Sequence, residues 1–251
     1  MKLSLALVPV AVLPVVAGAQ LIRPTSATAT SQFSGLYDIG NTIDGSGLPA
    51  NFTLSDGHAN YTTNNHWTTA LNQTVGMSAT FSFATPQTLT RFYMWNHRSN
   101  GIASNSSYAV TRFDLILRDA GGSTLLALTD LTAVGGTAFA QTFCFPQTAG
   151  VSSAQFIVRA TQNNNVSPYT GLAEVAFGFV NPCSSADVSG VNQSTCVDGA
   201  LTADDIIVFL GWYFGNDARA NIAGGNQATT PDDTLTADDI IVFLGRFFAG
   251  C

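Results

Sequence analysis

Two identical ten-residue segments carry the residues whose types and spacing point most clearly to chemistry. Thr202–Gly211 and Thr236–Gly245 both read TADDIIVFLG and lie 34 residues apart. Aspartates crowd the start of each segment and the residues before it. Ca²⁺ takes six to eight oxygen ligands, so this density of oxygens suits it. The repeat therefore predicts a duplicated calcium loop followed by a helix. An acidic helical hairpin that binds no metal is the alternative.

The spacing within each copy assigns ligands on the pattern of a twelve-residue calcium loop. The ligands of the first copy are Asp187, Ser189, Asp198, Thr202 and Asp205, if seven extra residues bulge after Ser189. The ligands of the second copy are Asn221, Asp232, Thr236 and Asp239. We expect the second site to be weaker, because Ala223 offers no side-chain oxygen and Asp233 replaces the turn glycine of the first copy.

A second set of candidate residues lies in the loop YMWNHRSNG, residues 93–101. Asn96, His97, Arg98 and Asn100 supply donors and acceptors that suit vicinal sugar hydroxyls. The alternative is a polar loop that ties two strands together, since loop tips are polar in any case.

Catalysis is not predicted. The three histidines form no HExxH-type array, and no GxSxG nucleophile elbow occurs. The chain contains a single glutamate, Glu174, and no carboxylate pair has a spacing that indicates a glycosidase.

The elements that must position these residues are mainly β-strands. Strand-like runs are separated by polar turn signals, which favours a sandwich or jelly roll. The predicted runs are residues 77–83, 89–95, 110–117, 137–145, 155–160 and 171–180. The predicted turns are Thr85-Pro86, residues 99–101, 119–122 and 163–165. In the tail, every third or fourth residue of each repeat is apolar, which predicts two helices that pack on each other.

Charge divides the chain in two. Residues 1–182 are neutral, whereas residues 183–251 contain nine Asp and two Arg and carry the whole net charge of −7. Such a shift predicts a domain boundary near Asn181-Pro182. The acidic balance also argues against a general nucleic-acid binder.

The N-terminus has the pattern of a secretory signal peptide. Lys2 precedes an apolar stretch, and Ala17-Gly18-Ala19 is a small-residue cleavage site. We therefore expect residues 1–19 to be removed and the mature chain to be secreted, without a membrane span.

The tail, residues 183–251, resembles a dockerin, and its ending FAGC resembles the Gly-Cys-terminated dockerin-like tails of secreted planctomycete proteins. This resemblance implies calcium-dependent folding of an EF-hand-like module and attachment to a receptor, such as a cohesin-like domain. The expanded first half of each loop departs from the ordinary dockerin.

Residues 20–180 resemble a discoidin domain, also called coagulation factor 5/8 type C, which is a galactose-binding-like jelly roll. The resemblance depends on the order of six short motifs: Thr42–Gly45, Asn65–Thr69, Ala79–Phe83, Tyr93–Gly101, Phe113–Leu117 and Gly171–Val175. Tyr93–Gly101 lies where sugar-binding relatives carry an Arg/Asn loop, so the resemblance implies a carbohydrate site at Asn96, His97, Arg98 and Asn100. It also implies one structural calcium held by Asp44 and Glu174. A glutamate that accepts backbone hydrogen bonds is the alternative for Glu174.

The chain has four cysteines, and secreted proteins keep their disulfides. We predict a Cys183–Cys251 bridge that closes the duplicated unit, with Cys144 and Cys196 unpaired. The rival pairing is Cys183–Cys196. Taken together, the sequence predicts a secreted, non-catalytic carbohydrate-binding or adhesion protein with a calcium-dependent tail. The alternatives are a structural surface protein whose sandwich binds protein, and an accessory to a polysaccharide hydrolase.

Overall fold

A computed structural model of the chain describes residues 20–98, 108–162 and 168–251. These residues form two compact units, one ending at Val180 and the other beginning at Asn181. Among them, no helix is long and apolar enough to cross a membrane.

The first unit is an antiparallel β-structure, which confirms the mainly β prediction. Its strands are β1 (Gln20–Ile22), β2 (Ser26–Ala29), β3 (Trp67–Thr68), β4 (Ser78–Asn96), β5 (Val110–Arg118), β6 (Thr124–Thr132), β7 (Gln141–Thr161) and β8 (Gly171–Phe179). Their order is β1-β8-β4-β7-β5-β6, with β2 paired to β4 and β3 paired to β8. This arrangement is consistent with the galactose-binding-like β-sandwich expected from the sequence.

Aromatic side chains fill the core because alternate residues of each strand face inward. Phe81, Phe92, Phe113, Phe156 and Phe177 are fully buried, and the rings of Phe113 and Phe156 stack with centroids 4.7 Å apart. Burial of one such side chain stabilises the fold by about 1.5–3 kcal/mol.

Strands β4 and β7 are longer than the sequence pattern predicts. Thr85-Pro86 is not a turn: it lies inside β4, where the pairing with β7 shifts register between Ser82 and Gln87. Such an irregularity accommodates proline, which cannot donate to a ladder. Strand β7 joins the last part of one predicted run to another, and the half-exposed edge strand β6 was not predicted. The turn at 119–122 is confirmed by a hydrogen bond from Gly122 N to Asp119 O, 3.1 Å. The predicted turns at 99–101 and 163–165 lie outside the described residues.

The second unit contains two helices, α1 (Ala203–Phe214) and α2 (Ala237–Ala249). Thr202 and Thr236 cap their N-termini. Phe209 and Phe243 stack with centroids 3.9 Å apart and planes 8° apart, so the predicted packing of the two apolar stripes is confirmed.

A disulfide joins Cys183 to Cys251, with Cα atoms 4.9 Å apart, as predicted. The described residues contain no free cysteine, so the prediction that Cys144 and Cys196 are unpaired is wrong. That prediction used only their positions in different units. The oxidising chemistry expected for a secreted chain leaves few free thiols.

Candidate carbohydrate and calcium sites

An aromatic pocket lies at the end of the β unit where β4 finishes and β5 and β8 begin. Its volume is about 220 Å³, and it is lined by Phe33, Tyr61, Thr68, Tyr108 and Tyr169. Thr68 ends β3, while Tyr108 and Tyr169 come shortly before β5 and β8. The antiparallel topology therefore brings residues that are distant in sequence to one end of the sheet.

The pocket rings are held by one another. Tyr169 contacts Phe33 and Tyr108 edge to face, with centroids 5.6 and 5.3 Å away. Tyr61 stacks on Tyr37 at 5.2 Å with planes 14° apart. Tyrosine combines an apolar ring face with a hydroxyl, which are the two surfaces that a sugar ring also presents. Phe33 is 51% exposed, so part of this aromatic surface is open to solvent.

Asn96, the first of the four predicted sugar ligands, is buried and has its hydrogen bonds satisfied by the chain. Its amide nitrogen donates to the carbonyl oxygens of Val110 and Val134 at 2.7 and 3.1 Å. Its carbonyl oxygen accepts from the amides of His97 and Val110. The side chain thus ties β4 to neighbouring backbone and offers no free group to a sugar.

His97 and Arg98 support the pocket from beneath instead of lining it. His97 is fully buried, and its Nε2 lies 3.3 Å from the hydroxyl of Thr68, a pocket residue. Arg98 is half-buried and donates from Nη1 to the carbonyl of His58 at 3.0 Å. The fourth predicted sugar ligand, Asn100, lies outside the described residues.

Sequence reasoning did not select the aromatic residues of the pocket. Phe33, Tyr61, Tyr108 and Tyr169 lie in four separate irregular segments and share no motif. The available signal was the presence of tyrosines within otherwise polar loops, where no core requires them.

The three histidines of the chain, His58, His66 and His97, form one buried cluster behind the pocket. The ring centroids of His58 and His97 each lie 4.8 Å from that of His66. Burial lowers the pKa of all three, and the neighbouring histidines lower the pKa of His66 and His97 further. The pKa of His97 falls to about 3, so its ring is neutral at physiological pH.

Asp44 and Glu174, the predicted discoidin-type calcium ligands, are brought together by the fold. Glu174 lies on β8 and is fully buried. Its Oε2 accepts from the amide of Gly45 at 3.1 Å, while its Oε1 has no hydrogen-bond partner. Burial raises the pKa of Glu174 to about 8, and the adjacent Asp44 carboxylate also raises it.

In the first tail loop, the predicted ligands bind backbone amides. Asp205 is fully buried, and its Oδ1 accepts from the amides of Val188 and Ser189 at 2.9 Å each. Its Oδ2 accepts from the amide of Thr202 at 2.8 Å. The hydroxyl of Ser189 donates to the same carboxylate at 3.3 Å.

The other two aspartates of this loop also accept from the backbone. Asp187 accepts from the amides of Cys183, Asp198 and Gly199, and Asp198 accepts from that of Ala200. Burial nevertheless raises the pKa of Asp187.

The second loop repeats this pattern 34 residues later. Asp239 accepts from the amides of Ile222, Ala223 and Thr236. Asp232 accepts from Thr234 and from the amide of Gly225. The Asn221 carboxamide, when oriented to satisfy both partners, joins the carbonyl of Ala223 to the amide of Asp233.

Asp233 occupies the conformation of a turn glycine. Its φ of 65° matches the left-handed φ of 81° at Gly199, the equivalent residue of the first copy. The sequence equivalence of these two residues is therefore also a structural one.

Among the described residues, no three His, Cys, Asp or Glu side chains are grouped so that they could hold a metal ion by themselves. A calcium ion at any predicted site would therefore need backbone carbonyls or water as further ligands.

Comparison with known proteins gives fold-level similarity alone. No protein-family model matches the chain, and no curated protein matches it. It is similar to the CBM32 module of AlyQ in complex with 4,5-unsaturated mannuronic acid, with 19% identity over 63% of this chain and 97% of that one and a TM-score of 0.44. It is also similar to the family 32 module of C. perfringens NanJ in complex with galactose, with 14% identity over 64% of this chain and 99% of that one and a TM-score of 0.45. For a fucose-binding module of Streptococcus pneumoniae, identity is 14% over 64% of this chain and 96% of that one, with a TM-score of 0.46. Similarity at this level assigns neither a family nor a ligand to this chain.

Proposed function

We propose that the chain is a secreted, non-catalytic carbohydrate-binding protein that holds a sugar ring in its aromatic pocket. The observation that carries this proposal is the set of four aromatic rings around about 220 Å³ of space. Ring faces contact the C–H surfaces of a sugar, while tyrosine and threonine hydroxyls pair with its hydroxyl groups. Pockets for drug-sized ligands measure about 300–1,000 Å³, so this smaller one suits a single sugar ring at the end of a glycan.

Phe33→Ala should weaken glycan binding about tenfold, because one aromatic contact contributes about 0.5–1.5 kcal/mol beyond its buried area. The measurement is a glycan array with the full chain, followed by calorimetry with a glycan that binds. Phe139→Ala is the matched control, since Phe139 is 56% exposed, close to the 51% of Phe33, but does not line the pocket.

Two results would contradict the proposal. One is a wild-type chain that binds no glycan on the array, which would favour a protein-binding surface module. The other is an equal loss of binding in the two variants, which would place the glycan outside the pocket.

We further propose a calcium ion at Asp44 and Glu174. The unpartnered Oε1 of Glu174 supports it, because a buried polar atom without a partner is unfavourable and a cation would satisfy it. Bound calcium would also favour the ionised carboxylate. Asp44, Glu174 and nearby carbonyls would hold the ion, whose contribution is to fix the loop after Asp44 against β8.

Calcium binding by the tail remains a prediction. Unlike Oε1 of Glu174, the predicted ligands of the tail already have hydrogen-bond partners. Asp187, Asp205 and Asp239 already accept two or more backbone hydrogen bonds each. No described side-chain atom of the tail is both buried and unpartnered. A calcium ion there would have to share or replace these donors, so the backbone contacts alone can explain why aspartates occupy these positions.

We propose that the tail attaches the protein to a partner through a duplicated helix face. Ile207 and Phe214 on α1 are 49% and 78% exposed, and their repeat equivalents Ile241 and Phe248 on α2 are 47% and 77% exposed. The exposed face also contains Gly211 and Gly245, around which a side chain would meet open space.

Packing within the unit does not require these residues. Glycine in a helix lowers stability by about 1 kcal/mol relative to alanine. A glycine at the same place in both copies therefore indicates that another molecule approaches the helix closely there. Because the tail carries seven net negative charges, we expect a partner with an apolar patch and a basic rim, such as a cohesin-like receptor.

The double variant Phe214→Ser, Phe248→Ser should abolish attachment while the tail remains folded, because both side chains are exposed. Attachment is measured as retention of the protein on the surface of the producing cell, which immunofluorescence detects. Circular dichroism checks that the helices remain folded. Phe139→Ala again serves as control. Full retention of the double variant would refute the proposed face.

Secretion also belongs to this proposal. Residues 1–19, the predicted signal peptide, lie outside the described residues, and β1 begins at Gln20, where the mature chain is expected to start.

A further inference from the structure

All three histidines of the chain lie in one cluster, although residues 58, 66 and 97 belong to different segments. His66 and His97 are fully buried, and His58 is 2% exposed. The cluster contacts the floor of the aromatic pocket. The ring of Tyr61 lies 4.8 Å from that of His97 and 5.5 Å from that of His66.

The surroundings of the cluster favour neutral rings. Nδ1 of His66 lies 2.7 Å from Oδ1 of Asn65, while its Nε2 is buried without a partner and would have no acceptor if it were protonated. Arg98 places a positive charge beside His58 and His66 and lowers the pKa of both.

The remaining charged and titratable neighbours do not outweigh the lowering of the histidine pKa values by burial and by Arg98. Asp44 raises the pKa of His58, against the larger effect of burial. The other groups facing the rings are the neutral phenols of Tyr61 and Tyr108.

We propose that the histidine cluster is an acid-sensitive latch: neutral rings hold Tyr61 and Thr68 in the pocket wall, and acid opens the segment that carries His58 and His66. The role of the latch in ligand release rests on the proposed sugar site, whereas the opening itself does not. Residues 43–66 contain neither helix nor strand, so this segment can open without breaking the sheet.

The direction of the pH effect follows from linkage. Because burial holds the pKa of each histidine below 6.5, the open state binds more protons than the closed state below that pH. The closed state is therefore fully favoured above about pH 7 and loses stability as the pH falls. At pH 5, His66 and His97, whose pKa values are lowered most, would each shift the equilibrium roughly 30-fold toward an open state in which their pKa is about 6.5. Two histidines acting together would shift it by roughly three orders of magnitude.

The test is hydrogen exchange of the full chain at pH 7.5 and 5.0, in excess calcium and without glycan, with rates corrected for intrinsic pH dependence. We expect protection of peptides covering residues 58–66 to fall at least 100-fold at pH 5.0, while peptides from β7 keep theirs. The variant His66→Gln, His97→Gln should lose most of this pH response. If that variant does not fold, the ring resonances of the wild type decide the question, since the chain has only these three histidines.

Protonation of His66 or His97 near pH 6.5 in a segment that stays protected would overturn the proposal. Unchanged protection of residues 58–66 between the two pH values would also overturn it. An empty glycan array would refute the proposed function but leave the exchange result as evidence for the latch.

Discussion

With calcium removed, raising the pH from 4.5 to 8 should destabilise the β unit by up to about 5 kcal/mol through Glu174. The pKa of this buried carboxyl is raised to about 8 in the folded chain, compared with an ordinary value of about 4.5. The folded state therefore binds the proton more tightly than the unfolded state does. One pKa unit corresponds to about 1.4 kcal/mol, so stability falls as the pH rises through this window and levels off above pH 8.

Excess calcium should remove this loss, because an ion at the proposed site would compensate the charge of the ionised carboxylate. The measurement is chemical denaturation of the full chain, with chelator and with calcium, between pH 4.5 and 8.5. Glu174→Gln is the matched control, since it keeps the shape of the side chain and cannot ionise. The difference between wild type and control isolates Glu174 from the histidines, whose effect on stability has the opposite sign. A difference that is the same with chelator and with calcium would exclude calcium at this site.

The β-fold could be predicted from the sequence because its core obeys a simple rule. Alternate apolar residues such as Phe81 and Phe83 indicate strands, and the structure places them in β4. The lengths of β4 and β7 could not be predicted, because tertiary pairing carries each strand through residues that would form a turn in isolation. Pro86 is the clearest case: local preference favours a turn, and pairing with β7 on either side of it overrides that preference.

The described residues of the predicted sugar loop lie near the aromatic pocket but do not line it. Asn96, His97 and Arg98 do lie at the end of the sheet that forms the pocket, but they support it from within. Polar residues at a strand end are as well suited to bind backbone as to bind a ligand, and sequence does not distinguish these uses. Tyr61 and Tyr169 come together only through the antiparallel order of β3, β8 and β4.

The tail was more predictable, because its duplication provides an internal comparison. The repeat located both helices, both N-caps and the contact between Phe209 and Phe243. It could not reveal what the aspartates bind, since carboxylates that accept backbone amides and carboxylates that bind calcium occupy similar positions.

Asp205→Ala should unfold much of the tail and decide between these two roles. The substitution leaves the buried amide of Ser189 and those of Val188 and Thr202 without their acceptor, at a cost of roughly 3–5 kcal/mol. A unit the size of residues 181–251 has a total stability of about 4–10 kcal/mol, so the loss is large. Helical circular dichroism at 222 nm and hydrogen exchange of α1 measure it in the full chain.

Asp204→Ala is the matched control for this experiment. Asp204 neighbours Asp205 in the first turn of α1, but it is more exposed and accepts from the amide of Asn192 alone, at 3.0 Å, so we expect a loss of stability below about 1 kcal/mol.

Chelation of the wild type then separates the two roles of the buried Asp205 carboxylate. If calcium holds the loop, chelator should reduce the protection of α1 nearly as much as Asp205→Ala does. If the backbone amides hold it, protection should be the same with chelator and with calcium, and the predicted tail sites would be refuted. Equal losses of stability in the two alanine variants would show that Asp205 does not stabilise the loop as its burial and hydrogen bonds indicate.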